Sequence, residues 1–254
     1  GVDIDPDFIY KHYEETGELP KTSLPSTEEI GKVVRQIVAD GYDGVVAVML
    51  SSGLSGTFNL SRILAEECEG FLEIRAYDSM NASLGQGMTL LQLAADIESG
   101  MSWEELTERR VDQLMKGSFA FFSVDTLEYL RRSGRLSAAA AVAGGLLGIR
   151  PVLTAQNGEL VLLGKARGIA QSDNFLNRTV EQRGGINFRL PYAVGYTGVD
   201  DTAARSYLER SAALWQGKTD AVPVCRIGCG IGTHVGPGAV AVAFYTPEDG
   251  GALA

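Results

Sequence analysis

Gly44-Val45-Val46-Ala47-Val48-Met49-Leu50-Ser51-Ser52-Gly53-Leu54-Ser55-Gly56-Thr57 is the stretch that decides the fold. Its first seven residues are continuously apolar and rich in β-branched side chains, the composition of a strand covered on both faces in a parallel sheet. The chain then passes through a loop of hydroxyls and glycines, and helical periodicity follows over 58–67. A second strand pattern over 72–77 and helical patterns over 84–98 and 102–115 repeat the alternation. Strand, helix, strand, helix in that order predicts a right-handed parallel α/β arrangement.

Upstream, 6–16 reads as a helix stopped by Gly17, and Ser26 with Glu29 forms a capping box for a helix over 27–40. In that second helix Ile30, Val33, Val34, Ile37 and Val38 fall at helical spacing. Downstream of Gly117 the texture changes. A strand over 119–124, a helical turn over 126–133 and an Ala-rich helix over 137–147 precede a hairpin whose Asn157-Gly158 pair signals a type I′ turn. A helix over 170–183, a strand over 192–196, a helix over 202–215 and a strand over 239–245 follow. The pattern predicts two domains, 1–117 with a parallel α/β sheet and 118–254 with a mixed sheet.

Charge and composition narrow the function. The 254 residues are 45% hydrophobic and 21% charged, an ordinary globular balance, and the formal net charge is −10. That sign argues against nucleic-acid binding, which needs a basic footprint to displace phosphate counterions. Arg131, Arg132, Arg135, Arg150, Lys165 and Arg167 nevertheless face only Glu159 across their segment, a local +5. The longest apolar run, 138–149, is shorter than the roughly 20 residues a membrane span requires, and no signal peptide is evident. Cys68, Cys225 and Cys229 are an odd number without a paired zinc spacing, which reads as a reducing, cytoplasmic context. Buried structural thiols fit their apolar, glycine-rich surroundings, with a metal site on Cys225, Cys229 and His234 as the alternative.

The loop after the first strand places three serines, a threonine and two glycines at a helix N-terminus, where free N–H groups and the helix dipole favour an anion. It lacks the lysine of a nucleotide P-loop, so a small carboxylate suits it better than nucleotide phosphates. A capped helix after a polar loop is the plainer alternative. His234 sits in Gly232-Thr233-His234-Val235-Gly236-Pro237-Gly238, where glycines and a proline imply irregular backbone with room for a ligand beside an imidazole that can donate to a carboxylate. A satisfied core histidine is the alternative there.

Leu127-Glu128-Tyr129-Leu130-Arg131-Arg132-Ser133-Gly134-Arg135-Leu136-Ser137, running on into Leu146-Leu147-Gly148-Ile149-Arg150-Pro151-Val152-Leu153, resembles the signature stretch of the DegV family. The Thr22-Ser23-x-Pro25-Ser26 loop, the 51–57 loop and the 233–238 turn resemble the family in the same order along the chain. The resemblance implies a two-domain protein that holds the carboxylate of a long-chain fatty acid by hydroxyls and histidine and buries the tail in a tunnel. It implies no cofactor and no catalytic residue of its own. It also implies a partner, a separate fatty-acid kinase subunit that converts the presented acid to acyl phosphate. By position, Thr22, Ser52 and His234 match the carboxylate-holding residues, and Ser23, Ser51, Ser55, Gly56, Thr57 and Gly236 border the head group. Arg167 falls where family members carry a basic segment near the entrance, which implies partner docking. Members also begin with strands ahead of the segment matching Gly1-Val2-Asp3-Ile4, so the resemblance implies a first domain without those strands here.

Two other readings compete. A serine hydrolase would use Ser52 or Ser55 with His234 as base, although the spacing is not that of a G-x-S-x-G elbow. A kinase subunit of the dihydroxyacetone type rests on fold analogy alone.

Overall fold

The computed structural model describes residues 4–136 and 148–247. The Ala-rich helix expected over 137–147 lies outside them. Helix α1 (Pro6–Thr16) starts on an Asp5 cap and stops at Gly17, whose φ of 71° closes the last turn. Helix α2 (Thr27–Ala39) begins on the expected capping box: Ser26 Oγ accepts from the Glu29 amide, and the Ser26 amide donates to the Glu29 carboxylate.

Strand β1 (Gly44–Met49) pairs in parallel with β2 (Glu73–Asp78), with α3 (Thr57–Glu67) as the crossover. Helix α4 (Leu84–Glu98) follows, and then α5 (Trp103–Glu105), a π turn (Leu106–Arg110) and α6 (Val111–Gly117) complete the first lobe. The continuous helix expected over 102–115 thus contains one wide turn. The predicted covering of β1 is incomplete. Within that strand only Val48 is fully buried, and α2 buries none of its residues, leaving Val33 58% and Val38 42% exposed. Periodicity reports which face a segment could bury and cannot report what covers it.

The second lobe is a six-stranded mixed sheet in the order β5-β4-β3-β8-β6-β7, formed by β3 (Ser118–Ser123), β4 (Ile149–Gln156), β5 (Glu159–Arg167), β6 (Ala193–Tyr196), β7 (Val224–Arg226) and β8 (Val240–Tyr245). Helix α7 (Glu128–Arg132) follows β3; α8 (Gly168–Gln182), α9 (Thr202–Arg210), α10 (Ala212–Trp215) and α11 (Cys229–Val235) complete it. The Asn157-Gly158 turn between β4 and β5 has φ of 51° and 82°, as a type I′ turn requires. Strand β7 and helix α11 escaped the sequence reading. β7 is three residues long, and α11 contains Gly230 and Gly232, poor helix formers that elsewhere mark loops. Gly232 is needed there because a Cβ would sit 2.6 Å from the Tyr10 hydroxyl on α1.

Large residues fill one face of this sheet. Phe121, Val152, Val194, Val240, Val242 and Phe244 form a core with Leu176, Val180, Ala204 and Tyr207 of α8 and α9. The other face looks toward the first lobe, where α4 packs on β3 and β8. Position 117, the expected division, is the last residue of α6, directly before β3, and α1 on one side of it packs against α11 on the other.

One buried bond ties the two lobes at the strand end. Ser51 Oγ, fully buried, donates to the carbonyl of Gly158 at 2.5 Å and accepts from the Gly53 amide at 3.2 Å. Ser51→Ala would leave both backbone groups without that partner. We expect it to cost about 1–3 kcal/mol of stability, read as a lower urea midpoint at unchanged m-value.

Candidate functional site

A cavity of about 610 Å³ opens between the lobes, within the range typical of small-molecule sites. Its polar wall carries Thr22, Ser23, Ser55, Thr57, Asn81, Ser83, Gln86, Arg135 and His234, and its apolar walls include Leu24, Leu54, Phe122, Leu130, Leu160 and Ile231. No carboxylate is among the described residues that line it.

His234 lies in the last turn of α11, not in the irregular turn that its sequence suggested. The chain leaves the helix at Gly236, where φ is 77° and a Cβ would collide with the Tyr129 ring. Thr197 then clamps the following turn. Its hydroxyl donates to the Gly236 carbonyl at 2.5 Å and accepts from the Ala239 amide at 2.9 Å, while its own carbonyl accepts from the Gly238 amide at 3.1 Å. Arg150, paired with Asp125, donates to the Gly238 carbonyl at 2.8 Å from the other side. The backbone that carries the imidazole is therefore held by several bonds within four residues.

The imidazole itself is half-buried. Its Nε2 lies 2.9 Å from Thr22 Oγ1, and its Nδ1 is buried without a hydrogen-bond partner among the described residues. Burial, and then the positive field of Arg135, hold its pKa below the ordinary 6.5, so the ring is neutral at neutral pH. Arg135 supplies the wall's permanent positive charge. Its guanidinium donates to the carbonyls of Ser133 at 2.5 Å and Leu54 at 3.4 Å, and it has no carboxylate partner among the described residues. Arg135, the His234 ring and the hydroxyls of Thr22, Ser23, Ser55 and Thr57 line one cavity with no acid among its described lining residues, a set of donors suited to an anion.

The expected residues divide. Thr22, Ser23, Ser55, Thr57 and His234 line the cavity; Ser55 Oγ and Thr57 Oγ1 are 2.8 Å apart. Ser51 does not line it, because its hydroxyl is consumed by Gly158. Ser52 is also outside the lining: it is exposed, with its amide held by the Asp78 carboxylate at 3.2 Å. Gly56 serves as the N-cap of α3 and Gly236 as the C-cap of α11, so both shape backbone rather than wall. Arg167 ends β5 on the exposed surface, its amide donating to Gln171 Oε1 at 3.0 Å.

Asn81, Ser83, Gln86 and Arg135 were missed. The first three sit after β2, beside the loop after β1, where the carboxyl ends of parallel strands place ligands, so the topology was the available signal. Their backbone was not legible: Met80 and Ser83 have φ of 51° and 53°. Arg135 was legible as a cation but was grouped with surface charge.

The arrangement lacks a hydrolase triad. Neither Ser52 nor Ser55 is the partner of His234, and no carboxylate bonds its free nitrogen among the described residues. Cys225 and Cys229 are only half-buried, unlike Cys68, and no group of three His, Cys, Asp or Glu is placed to hold a metal among the described residues. No helix among them is long and apolar enough to cross a membrane.

The family model described as "Uncharacterised protein, DegV family" matches residues 1–247. A DegV domain-containing protein of Caldanaerobacter subterraneus subsp. tengcongensis is 32% identical over 248 residues, covering 96% of this chain and 85% of the relative. Among solved structures, a DegV family protein from Thermus thermophilus, described by its fatty acid binding, superposes with a TM-score of 0.83 at 30% identity, covering 96% of this chain and 85% of that one. DegV of Bacillus subtilis, described as a fatty acid binding protein, gives a TM-score of 0.78 at 28% identity, covering 97% and 86%. With its α/β lobes, its cavity between them and a sequence match along nearly its whole length, the chain belongs to the DegV family.

Proposed function

We propose that this protein binds a long-chain fatty acid, with the carboxylate at the polar wall and the acyl chain in the cavity between the lobes 1–117 and 118–254. The observation that carries this reading is that Arg135, His234 and a set of hydroxyls share one cavity of about 610 Å³ with apolar residues such as Leu54, Phe122, Leu130 and Ile231. An anion entering that wall meets charge-assisted donors, while each buried CH₂ of its tail contributes roughly 0.8 kcal/mol. Two relatives described as fatty acid binding support it. In this reading Thr22, Ser23, Ser55, Thr57, His234 and Arg135 hold the head group. Ser51, Ser52, Gly56 and Gly236 act on the shape of the loops around it. The protein is then a cytoplasmic carrier without a catalytic step or cofactor of its own, presenting the acid to a separate kinase for acyl-phosphate formation. Arg167, exposed at the end of β5, belongs to the docking face.

Arg135→Gln and His234→Ala should each weaken fatty-acid binding by about 1.5–3 kcal/mol, the cost of a donor lost to a charged group. Affinity for the fatty alcohol of equal length should change little. Titration calorimetry with both ligands is the test, and equal losses for acid and alcohol would place the head group elsewhere.

The depressed pKa of His234 gives a pH signature. A group whose folded pKa is lowered adds stability above its unfolded value, and that stability is lost as pH falls toward the folded value. Between about pH 7 and pH 5 the ligand-free protein should therefore lose more melting temperature than His234→Gln. Bound acid, as a counter-charge beside the ring, should narrow that difference, and parallel melting profiles for both proteins would show that His234 is not the titrating group.

Arg167→Glu should slow acyl-phosphate formation with the kinase, at unchanged fatty-acid affinity, and the wild-type rate should fall as salt rises. Equal rates at low salt would remove Arg167 from the docking face.

A further inference from the structure

The last strand and the residue before it read Ala239-Val240-Ala241-Val242-Ala243-Phe244-Tyr245, alternating small and large as far as Phe244. Val240, Val242 and Phe244 enter the core under α8 and α9. The alanines point the other way, toward the first lobe, and they too are buried: Ala241 is 8% exposed and Ala243 not at all. Strand pairing widens the pattern. Ala243 stands opposite Ala120 on β3 and opposite Ala193 on β6, so three alanines lie side by side on adjacent strands. On β4, Ala155 follows the residue paired with Phe121 and lines the cavity with Ala120 and Ala241.

A sheet face buried in a protein is ordinarily filled by Val, Ile, Leu and Phe, and a face of methyl groups leaves its neighbours without packing partners. Close packing tolerates such a band only where something else fills it. Part of it is filled by the protein itself, since Ala243 shares a cluster with Val48, Met88 and Tyr245. The remainder, over Ala120, Ala155 and Ala241, is the floor of the cavity. With strands about 4.8 Å apart, this floor across β4, β3 and β8 is about 10 Å long, room for part of an extended acyl tail.

We propose that this alanine band is the track of the acyl chain, which crosses the strands, and that Ala120 and Ala241 set the length and bulk of tail accepted. The proposal rests on the fatty-acid reading and names the residues that select among acids. Phe122, paired with Ala241 and lining the same cavity, is the bulky neighbour that narrows the track.

The test purifies wild type, Ala120→Leu, Ala241→Leu and Phe122→Ala from one bacterial host. Bound lipid is extracted and its chain lengths and amount per protein are read by mass spectrometry, with melting curves run in parallel. Each leucine adds about three carbon atoms to a close-packed space, so the bound acids should shift shorter by roughly two to four carbons. Phe122→Ala should shift them longer. Folded variants that all carry the wild-type distribution would overturn the proposal while leaving the fatty-acid reading in place. Wild type that holds no fatty acid and takes none up would overturn both. If the leucines unfold the sheet, Phe122→Ala decides alone, and an unchanged distribution there overturns the alanine track.

Discussion

The second lobe's sheet is buried on both faces, filled throughout on one and only in part on the other, and the site follows from that asymmetry. On the α8 and α9 side, Phe121, Val194, Val242 and Phe244 reach near-zero exposure against Leu176, Val180 and Tyr207. This side supplies the hydrophobic stabilisation that fixes the strand order. On the opposite side the alanines of β3 and β8 hold the sheet backbone close to the first lobe without filling the gap. A cavity can persist there because the sheet is already anchored from behind.

The polar wall depends on the same geometry. Two elements far apart in the chain meet at it, the Thr22 loop and the end of α11, joined by the contact between Thr22 and His234. The α11 turn is held by Thr197 and Arg150, and the β1 loop beside the site by Ser51 on Gly158. Preorganised donors lose little entropy when an anion arrives, so several weak groups can act as one site. His234 stays neutral because burial and Arg135 disfavour its proton, which leaves Arg135 as the wall's charge.

Other buried polar groups show that burial alone does not mark a site. Asp173 of α8 pairs with Arg210 at the end of α9 at 2.6 Å, and desolvation raises the carboxyl's pKa against that partner. Arg110 and Asp96 make a similar bond within the first lobe. Each charge there has its counter-charge, whereas Arg135 has none among the described residues, and that difference separates structural pairing from a place for a ligand.

Local chemistry alone determined the element order apart from β7 and α11, the capping box at Ser26, the type I′ turn at Asn157-Gly158 and the candidate hydroxyls at 22 and 51–57. Helical and strand periods, caps and turn residues act over a few residues, so the sequence displays them directly. The family resemblance was carried by motifs of the same short range. What only the tertiary structure decided was which of those groups face the cavity. Ser51 and Ser55 are four residues apart in one loop, yet one is spent on a distant carbonyl and the other lines the wall. Arg135 became part of the wall through its contact with the Leu54 carbonyl, 81 positions away. The apolar face of α2 shows the same limit, because its period was legible and its cover was not. Side-chain identity and spacing are local quantities, while burial and partnership depend on chain segments that only the folded backbone brings together.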